Sequence, residues 1–271
     1  MKLTIQQLLA AMWQDYLALT PDAKPIHQLF ARQNQGVVVN DHIALRTFNL
    51  DKVALDKIAR PFLAAGYQSA DDYQFPAKKL YARYFQHPDE TLPKVFISEL
   101  KVAELPDNCQ KIIHDLVAQV PESTVDEQTF CYSGRPWRLS IDQYQTLAAQ
   151  SEYAAWVAAH GFRPNHFTVS INHLRSHQDI HSLNQLLLDN GYTLNSSGGL
   201  VKGSPAVLLE QSSTLARKID VSFDDGVLTI PGCYYEFARR YPMADGRLYQ
   251  GFVASSADKI FESTDTGRPV P

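Results

Sequence analysis

The chain opens on a helical stripe. In "TIQQLLAAMWQDYLAL" the apolar positions recur every three or four residues, and Gln6, Gln7, Gln14 and Asp15 interrupt them. That spacing predicts an amphipathic helix over residues 4–19, with Thr4 and Gln7 placed as a capping box. A second helix is expected over 22–33. The period then drops from 3.6 to 2, and "HIALRTF" reads as a strand. A helix over 51–65 follows and ends at the turn "AAGY". Two more strands, "KLYARYFQH" and "KVFISELKV", are joined through the turn-rich "PDETLP".

This order of elements then recurs. "PNHFTVSIN" reads as a strand, 179–189 as a helix, "DNGY" as its turn, and "AVLLEQS" and "RKIDVSF" as strands. Val95 and Ile219 each follow the histidine of their own first strand by 53 residues. A last strand is available in the second copy at "VLTIPGCYYEFARR"; in the first copy "QTFCYS" near Phe130 is the candidate. The pattern predicts an α+β fold of paired βαβββ modules whose curved sheet encloses a cavity. The expected organisation is a single domain over 1–271. It comprises N-terminal helices (1–36), a first module (37–104), a helical connector (105–160), a second module (161–240) and a closing segment (241–271). Within the connector, "LPDNCQKIIHDLVAQV" and "QYQTLAAQSEYAAWVAAHG" each read as one helix.

Strand alternation puts His42, Ala44, Arg46 and Phe48 on one face, with Ile43, Leu45 and Thr47 on the other. An imidazole and a guanidinium directed into one interior are costly unless something there needs them. In the second copy His166, Thr168, Ser170 and Asn172 form a polar row. On the last strand Glu236 shares a face with Tyr234, a carboxylate among aromatics that calls for a cation. Two histidines and one carboxylate leave the far side of a metal open, which suits non-haem Fe(II) binding substrate and O2 together. Mn(II) or Zn(II) suits the same donors.

Rival ligands are weaker. His177 and His181 share a helical turn but lack the glutamate of an HExxH motif. His173 ends a strand, and Glu99 reads as a sheet-surface charge. His27, His87, His114 and His160 have no partner pattern. No Gly-rich phosphate loop, GxSxG elbow or Cys-His signature is present.

Composition narrows the partners. The 271 residues are 45% hydrophobic and 20% charged, the balance of a soluble globular protein. A net charge of -4 argues against a nucleic-acid surface. Cys109, Cys131 and Cys233 are odd in number and far apart, which suits neither a disulfide framework nor zinc. The first helix is too interrupted for a signal peptide or membrane span, so a cytoplasmic location is expected.

At "DHIALRTF", "RPNHFT", "CYYEFARR" and "GFVASSADKIFEST" the sequence resembles the 2-oxoadipate dioxygenase/decarboxylases, also called 2-hydroxyglutarate synthases. The resemblance covers most of the chain in order, although this chain is much shorter than the long bacterial members. It implies a fold related to the vicinal-oxygen-chelate superfamily. It also implies one Fe(II) held by His42, His166 and Glu236, with Arg46 as the catalytic and substrate-gripping residue. Mn, Zn or Ni are the metals expected to substitute in purified samples. A 2-oxo dicarboxylic acid and O2 would be converted to a 2-hydroxy acid and CO2.

Arg46 stands roughly 13 Å along the strand from His42, within reach of either end of a six-carbon substrate. In the closing segment Ser255 or Ser256 reads as the N-cap of a helix over 257–262, with Asp258 in its first turn. The resemblance brings this segment to the pocket. The backbone of Val253, Ser255 and Ser256 is therefore expected to meet the substrate carboxylate beside Arg46. The alternative function is a metal-dependent hydrolase, isomerase or lyase of the same fold class, and a non-catalytic binding module ranks third.

Overall fold

The capping box at Thr4 is made. Thr4 Oγ1 accepts from the Gln7 N–H, and the Gln7 side chain accepts from the Thr4 N–H. It opens α1 (Ile5–Leu19), which is followed by α2 (Ala23–Gln33). The computed structural model describes residues 3–264; residues 265–271, the end of the expected closing segment, lie outside the described residues. Tyr16 of α1 is fully buried, and Trp13 and Tyr16 each pack at 5.0 Å against Phe167.

The first module is β1 (Asn40–Phe48), α3 (Leu55–Ala64), β2 (Gln68–Phe75), β3 (Leu80–Gln86) and β4 (Lys94–Leu100). The connector carries α4 (Asp107–Ala118), α5 (Glu122–Asp126), α6 (Ile141–Gln150) and α7 (Glu152–His160). The second module is β5 (Pro164–Ser170), α8 (Ile180–Asp189), β6 (Lys202–Ser204) and β7 (Leu209–Ser213). After a hairpin of β8 (Lys218–Phe223) and β9 (Gly226–Pro231) comes β10 (Tyr234–Arg240), and α9 (Ala254–Ile260) follows.

Eight strands form one sheet in the order β2-β3-β4-β1-β5-β10-β7-β6. Its two halves mirror each other: each last strand runs parallel to its own first strand, and the first strands β1 and β5 pair antiparallel at the centre. The face carrying Phe167, Glu99 and Ser212 is covered by α1, α3 and α8, as the Trp13–Phe167, Leu55–Glu99 and Asn184–Ser212 contacts show. The face carrying His42, His166 and Glu236 holds the cavity, with α7 and α9 packed beside it.

Four sequence expectations need correction. "QTFCYS" is not a strand; Phe130–Tyr132 is one 3-10 turn. The missing strand is β2, an edge strand whose residues are almost all exposed, so it shows no apolar alternation. "RKIDVSF" lies outside the main sheet, because β8 pairs only with β9. The equal spacing of Val95 and Ile219 is therefore coincidental, and the counterpart of β4 is β10. Finally, the alanine-rich connector helix breaks at Ser151, whose extended backbone lets its hydroxyl cap Ala154. That break turns α7 under the sheet with its residues from Tyr153 onward all buried.

At the end of α7, His160 Nε2 lies 2.8 Å from the Pro231 carbonyl. Burial, opposed by this hydrogen bond and reinforced by nearby arginines, lowers its pKa to about 3. The unfolded chain binds a proton below about pH 6.5 that the native state refuses until about pH 3. Stability is therefore expected to fall on acidification through that window, by up to about 1.4 kcal/mol per pH unit from this residue. Denaturant melts at several pH values should show a shallower slope in His160→Gln. Identical slopes would remove His160 from the account.

Candidate metal centre

Strand register brings the three candidate ligands together. Glu236 pairs with Thr168, and Thr168 pairs with His42, so Glu236 and His42 flank one rung of the sheet. His166 stands two residues earlier on β5, on the same face. His42 Nε2 lies 3.4 Å from Glu236 Oε1, and His166 Nε2 lies 3.1 Å from Glu236 Oε2. Ligand atoms of all three residues lie within 4.8 Å of one another, and all three residues are buried.

The donor set fits a divalent ion. Glu236 is fully buried, yet among the described residues its Oε2 has no hydrogen-bond partner despite the nearness of His166. Gln211 Nε2 donates to the other oxygen at 2.6 Å. Burial raises the Glu236 carboxyl above its usual range, against the pull of His42 and Gln211. Burial, helped by the charges of His42 and Arg46, holds the His166 imidazole well below its usual value. A buried carboxylate with an orphaned oxygen facing two imidazole nitrogens is the arrangement a cation stabilises.

Two bulges orient the histidines. Between Asn40 and His42 the pairing of β1 with β5 skips Asp41, and between Ala44 and Leu45 it skips Asn165. Each skipped residue immediately precedes a histidine, and its freed side chain turns back to that ring. Asp41 Oδ1 lies 2.7 Å from His42 Nδ1, and Asn165 Oδ1 lies 3.2 Å from His166 Nδ1. With Nδ1–H donated, each Nε2 faces the centre. Arg240 grips Asp41 bidentately at 2.7 and 2.9 Å. Burial alone would raise the Asp41 carboxyl; Arg240 and the His42 hydrogen bond bring it well below its usual range. These supporting residues are visible in sequence as "DH" and "NH", but strict alternation assigns them to the opposite face.

A model of the family described as 2-oxoadipate dioxygenase/decarboxylase matches residues 4–129 and 118–248. The chain belongs to this family. It is 35% identical to the chloroplastic 2-oxoadipate dioxygenase/decarboxylase of Arabidopsis thaliana, over 96% of this chain and 77% of that protein. The crystal structure of hydroxyglutarate synthase from Oryza sativa, in complex with 2-oxoadipate, superposes with a TM-score of 0.90 at 35% identity. That match covers 96% of this chain and 91% of that one. A structure from Shewanella frigidimarina, provisionally described as a hydrolase, is 56% identical with a TM-score of 0.87, covering 91% and 96% of the two chains. A protein of Ralstonia eutropha provisionally described as of the glyoxalase superfamily shares the fold, at TM-score 0.71 and 20% identity over 92% and 85% of the chains. The α+β fold of paired modules expected from the pattern, vicinal-oxygen-chelate-like as the resemblance implied, is therefore the fold of this chain. Among the described residues no helix is long and apolar enough to cross a membrane.

In this family member the centre opens onto a small pocket of about 20 Å³, room for about one water. Its walls are Phe96, Tyr234, Phe252, Ala257, Ile260 and Phe261, besides the ligands and Gln211. Tyr234 stacks on His166 at 4.6 Å, and Phe252 meets His42 edge-on at 4.8 Å. Phe96 pairs with Ala44, two residues after His42, as Glu236 pairs with Thr168, two residues after His166. Phe96 thus occupies the mirror position of the carboxylate.

The other sequence candidates fall around this pocket. Arg46 is buried beside it, among Tyr153, Trp156 and Phe261. The closing helix begins earlier than expected: Val253 is its N-cap, without a side-chain bond, and α9 runs from Ala254 to Ile260. Buried Phe252, Ile260 and Phe261 anchor it, so packing rather than a serine cap sets its start. Asp258 therefore leaves the first turn and lies 3.9 Å from Lys78. Ser256 is buried, Ser255 is exposed, and neither they nor Val253 line the metal pocket. Glu99 faces the opposite side, accepting the Leu55 N–H at 2.8 Å. His181 is exposed.

Asp41→Asn keeps the size of the Asp41 side chain but weakens its hold on both His42 and Arg240. Metal affinity is expected to fall about 10- to 100-fold. Chelator-competition titration measures this, with circular dichroism confirming the fold; unchanged affinity would exclude the Asp41 support.

Proposed function

We propose that this protein is a non-haem Fe(II)-dependent dioxygenase/decarboxylase of a 2-oxo dicarboxylic acid close to 2-oxoadipate, working in the cytoplasm. O2 and the six-carbon oxo acid give a 2-hydroxyglutarate-like acid and CO2, a balance that needs no second organic substrate. The observation that carries this reading is the buried His42–His166–Glu236 cluster, set against aromatic walls in a member of this enzyme family.

His42, His166 and Glu236 would hold the metal, leaving its pocket side for substrate. When bound, Fe(II) supplies chelation of the oxo acid and the redox chemistry of O2. The chain's own part is orientation and exclusion of water. Asp41 and Asn165 fix the imidazoles, Gln211 fixes one carboxylate oxygen, and Phe96, Phe252 and Phe261 keep the pocket dry. Arg46 would bind a substrate carboxylate through its planar fork. The backbone of Val253, Ser255 and Ser256 would join it once substrate displaces the aromatic walls.

Anaerobic reconstitution with Fe(II), followed by 2-oxoadipate and O2, should give O2 uptake matched by CO2 release and a product of 2-hydroxyglutarate mass. Zn(II) should give none; activity with Zn(II) would favour the hydrolase, isomerase or lyase reading. Replacing His42, His166 or Glu236 by Ala should abolish both metal retention and turnover. Arg46→Lys should keep the metal while raising KM about 10-fold or more, because the bidentate geometry is lost. Failure to consume O2 with any 2-oxo acid of four to seven carbons would sink the proposal.

A further inference from the structure

Arg46 is an unusual side chain in its surroundings. It is 1% exposed, and its guanidinium lies 4.9 Å from the Tyr153 ring, 5.1 Å from Trp156 and 5.6 Å from Phe261. Its polar contacts are long: 3.3 Å to Glu152 Oε1 and 3.3 Å to Thr264 Oγ1. Charge-assisted bonds of this kind ordinarily measure about 2.7–2.9 Å. Among the described residues the buried Nε has no partner. A desolvated guanidinium with five N–H groups and two long bonds is under-satisfied.

Neither of these two partners lines the pocket of His42, His166 and Glu236. Glu152 and Thr264 line a separate cavity of about 290 Å³, together with Tyr144, Trp156, His160 and Lys218. Phe261, which also flanks Arg46, is a wall of the metal pocket. Arg46 thus stands between a pocket with room for one water and a cavity large enough for an organic acid.

We propose that this cavity is the substrate vestibule, and that Glu152 is a built-in competitor for the carboxylate-binding fork of Arg46. The inference rests on the 2-oxo dicarboxylate reading above. Glu152 sits at the first position of α7, with its side chain about one-third exposed. It can therefore swing into water without a large desolvation cost. An entering dicarboxylate exchanges with it: the carboxylate remote from the metal takes the Arg46 N–H groups, and the oxo-acid end passes to His42, His166 and Glu236. A 2-oxo acid without a second carboxylate has nothing to offer Arg46 and leaves the Arg46–Glu152 pair in place. Glu152 is thereby a specificity-determining residue that sets a threshold of binding strength for a doubly charged substrate.

The test is calorimetric titration of the anaerobic Fe(II)-loaded protein, wild type and Glu152→Gln, with 2-oxoadipate and with 2-oxohexanoate, which has the same chain length but one carboxylate. Without O2 no turnover intervenes. Glutamine keeps the shape and removes the competing charge, so affinity for 2-oxoadipate should rise about 3- to 10-fold, the scale of one partly exposed ion pair. Affinity for 2-oxohexanoate should not change. Equal affinity of both proteins for 2-oxoadipate, or an equal rise for both acids, would overturn the role of Glu152 and leave the functional reading standing. Absence of 2-oxoadipate binding to the wild type would overturn both.

Discussion

The centre depends on the antiparallel pairing of β1 with β5. Among the described residues it is the only ladder joining the two modules within the eight-stranded sheet, and it carries a histidine from each. Its register sets Thr168 opposite His42, and through β10 sets Glu236 on the other side of Thr168. A slip of one residue would send each side chain to the helix-covered face. Each of the two bulges leaves one residue unpaired just before a histidine, which is why a regular strand and an oriented imidazole occur together. The covering of one face by α1, α3 and α8, and a cavity on the other, then follow from which side of this ladder is apolar.

The two modules are alike in topology and unlike in chemistry. Asp41 supports one imidazole and Asn165 the other, so one ring faces a full negative charge and its counterpart a neutral amide. Glu236 and Phe96 hold mirror positions on β10 and β4. Two carboxylates there would surround an ion; one carboxylate and one phenyl leave a side both open and apolar. That asymmetry suits chemistry in which substrate and O2 share the metal and water is kept away.

Buried charge is handled differently at three places. Asp41 and Arg240 satisfy each other bidentately, and Arg240 also donates to the carbonyls of Tyr249 and Gly251, tying the segment before Phe252 to the sheet. Glu236 has one oxygen held by Gln211 and one left over. Arg46 has long contacts and an orphaned Nε. The complete pair is structural; the incomplete ones stand where a metal and a ligand anion would complete them.

The sequence alone records the paired modules, the capped first helix, and the face shared by His42 and Arg46, because helical and strand periods and a local capping box are written in consecutive residues. It also singled out Glu236, since a carboxylate among buried aromatics is out of place by composition alone. It misplaced β2, whose exposed edge lacks an apolar signal, and it counted β8 into a sheet that β8 never joins. It ran α6 and α7 together, because nothing local to Ser151 shows that α7 must turn beneath Arg46. That Asp41 and Asn165 reach the histidines, that Phe96 mirrors Glu236, and that Glu152 meets Arg46 emerged with the folded chain. These depend on register between strands and on packing between residues as far apart as 46 and 152, and no pattern within one segment records which distant segment it will face.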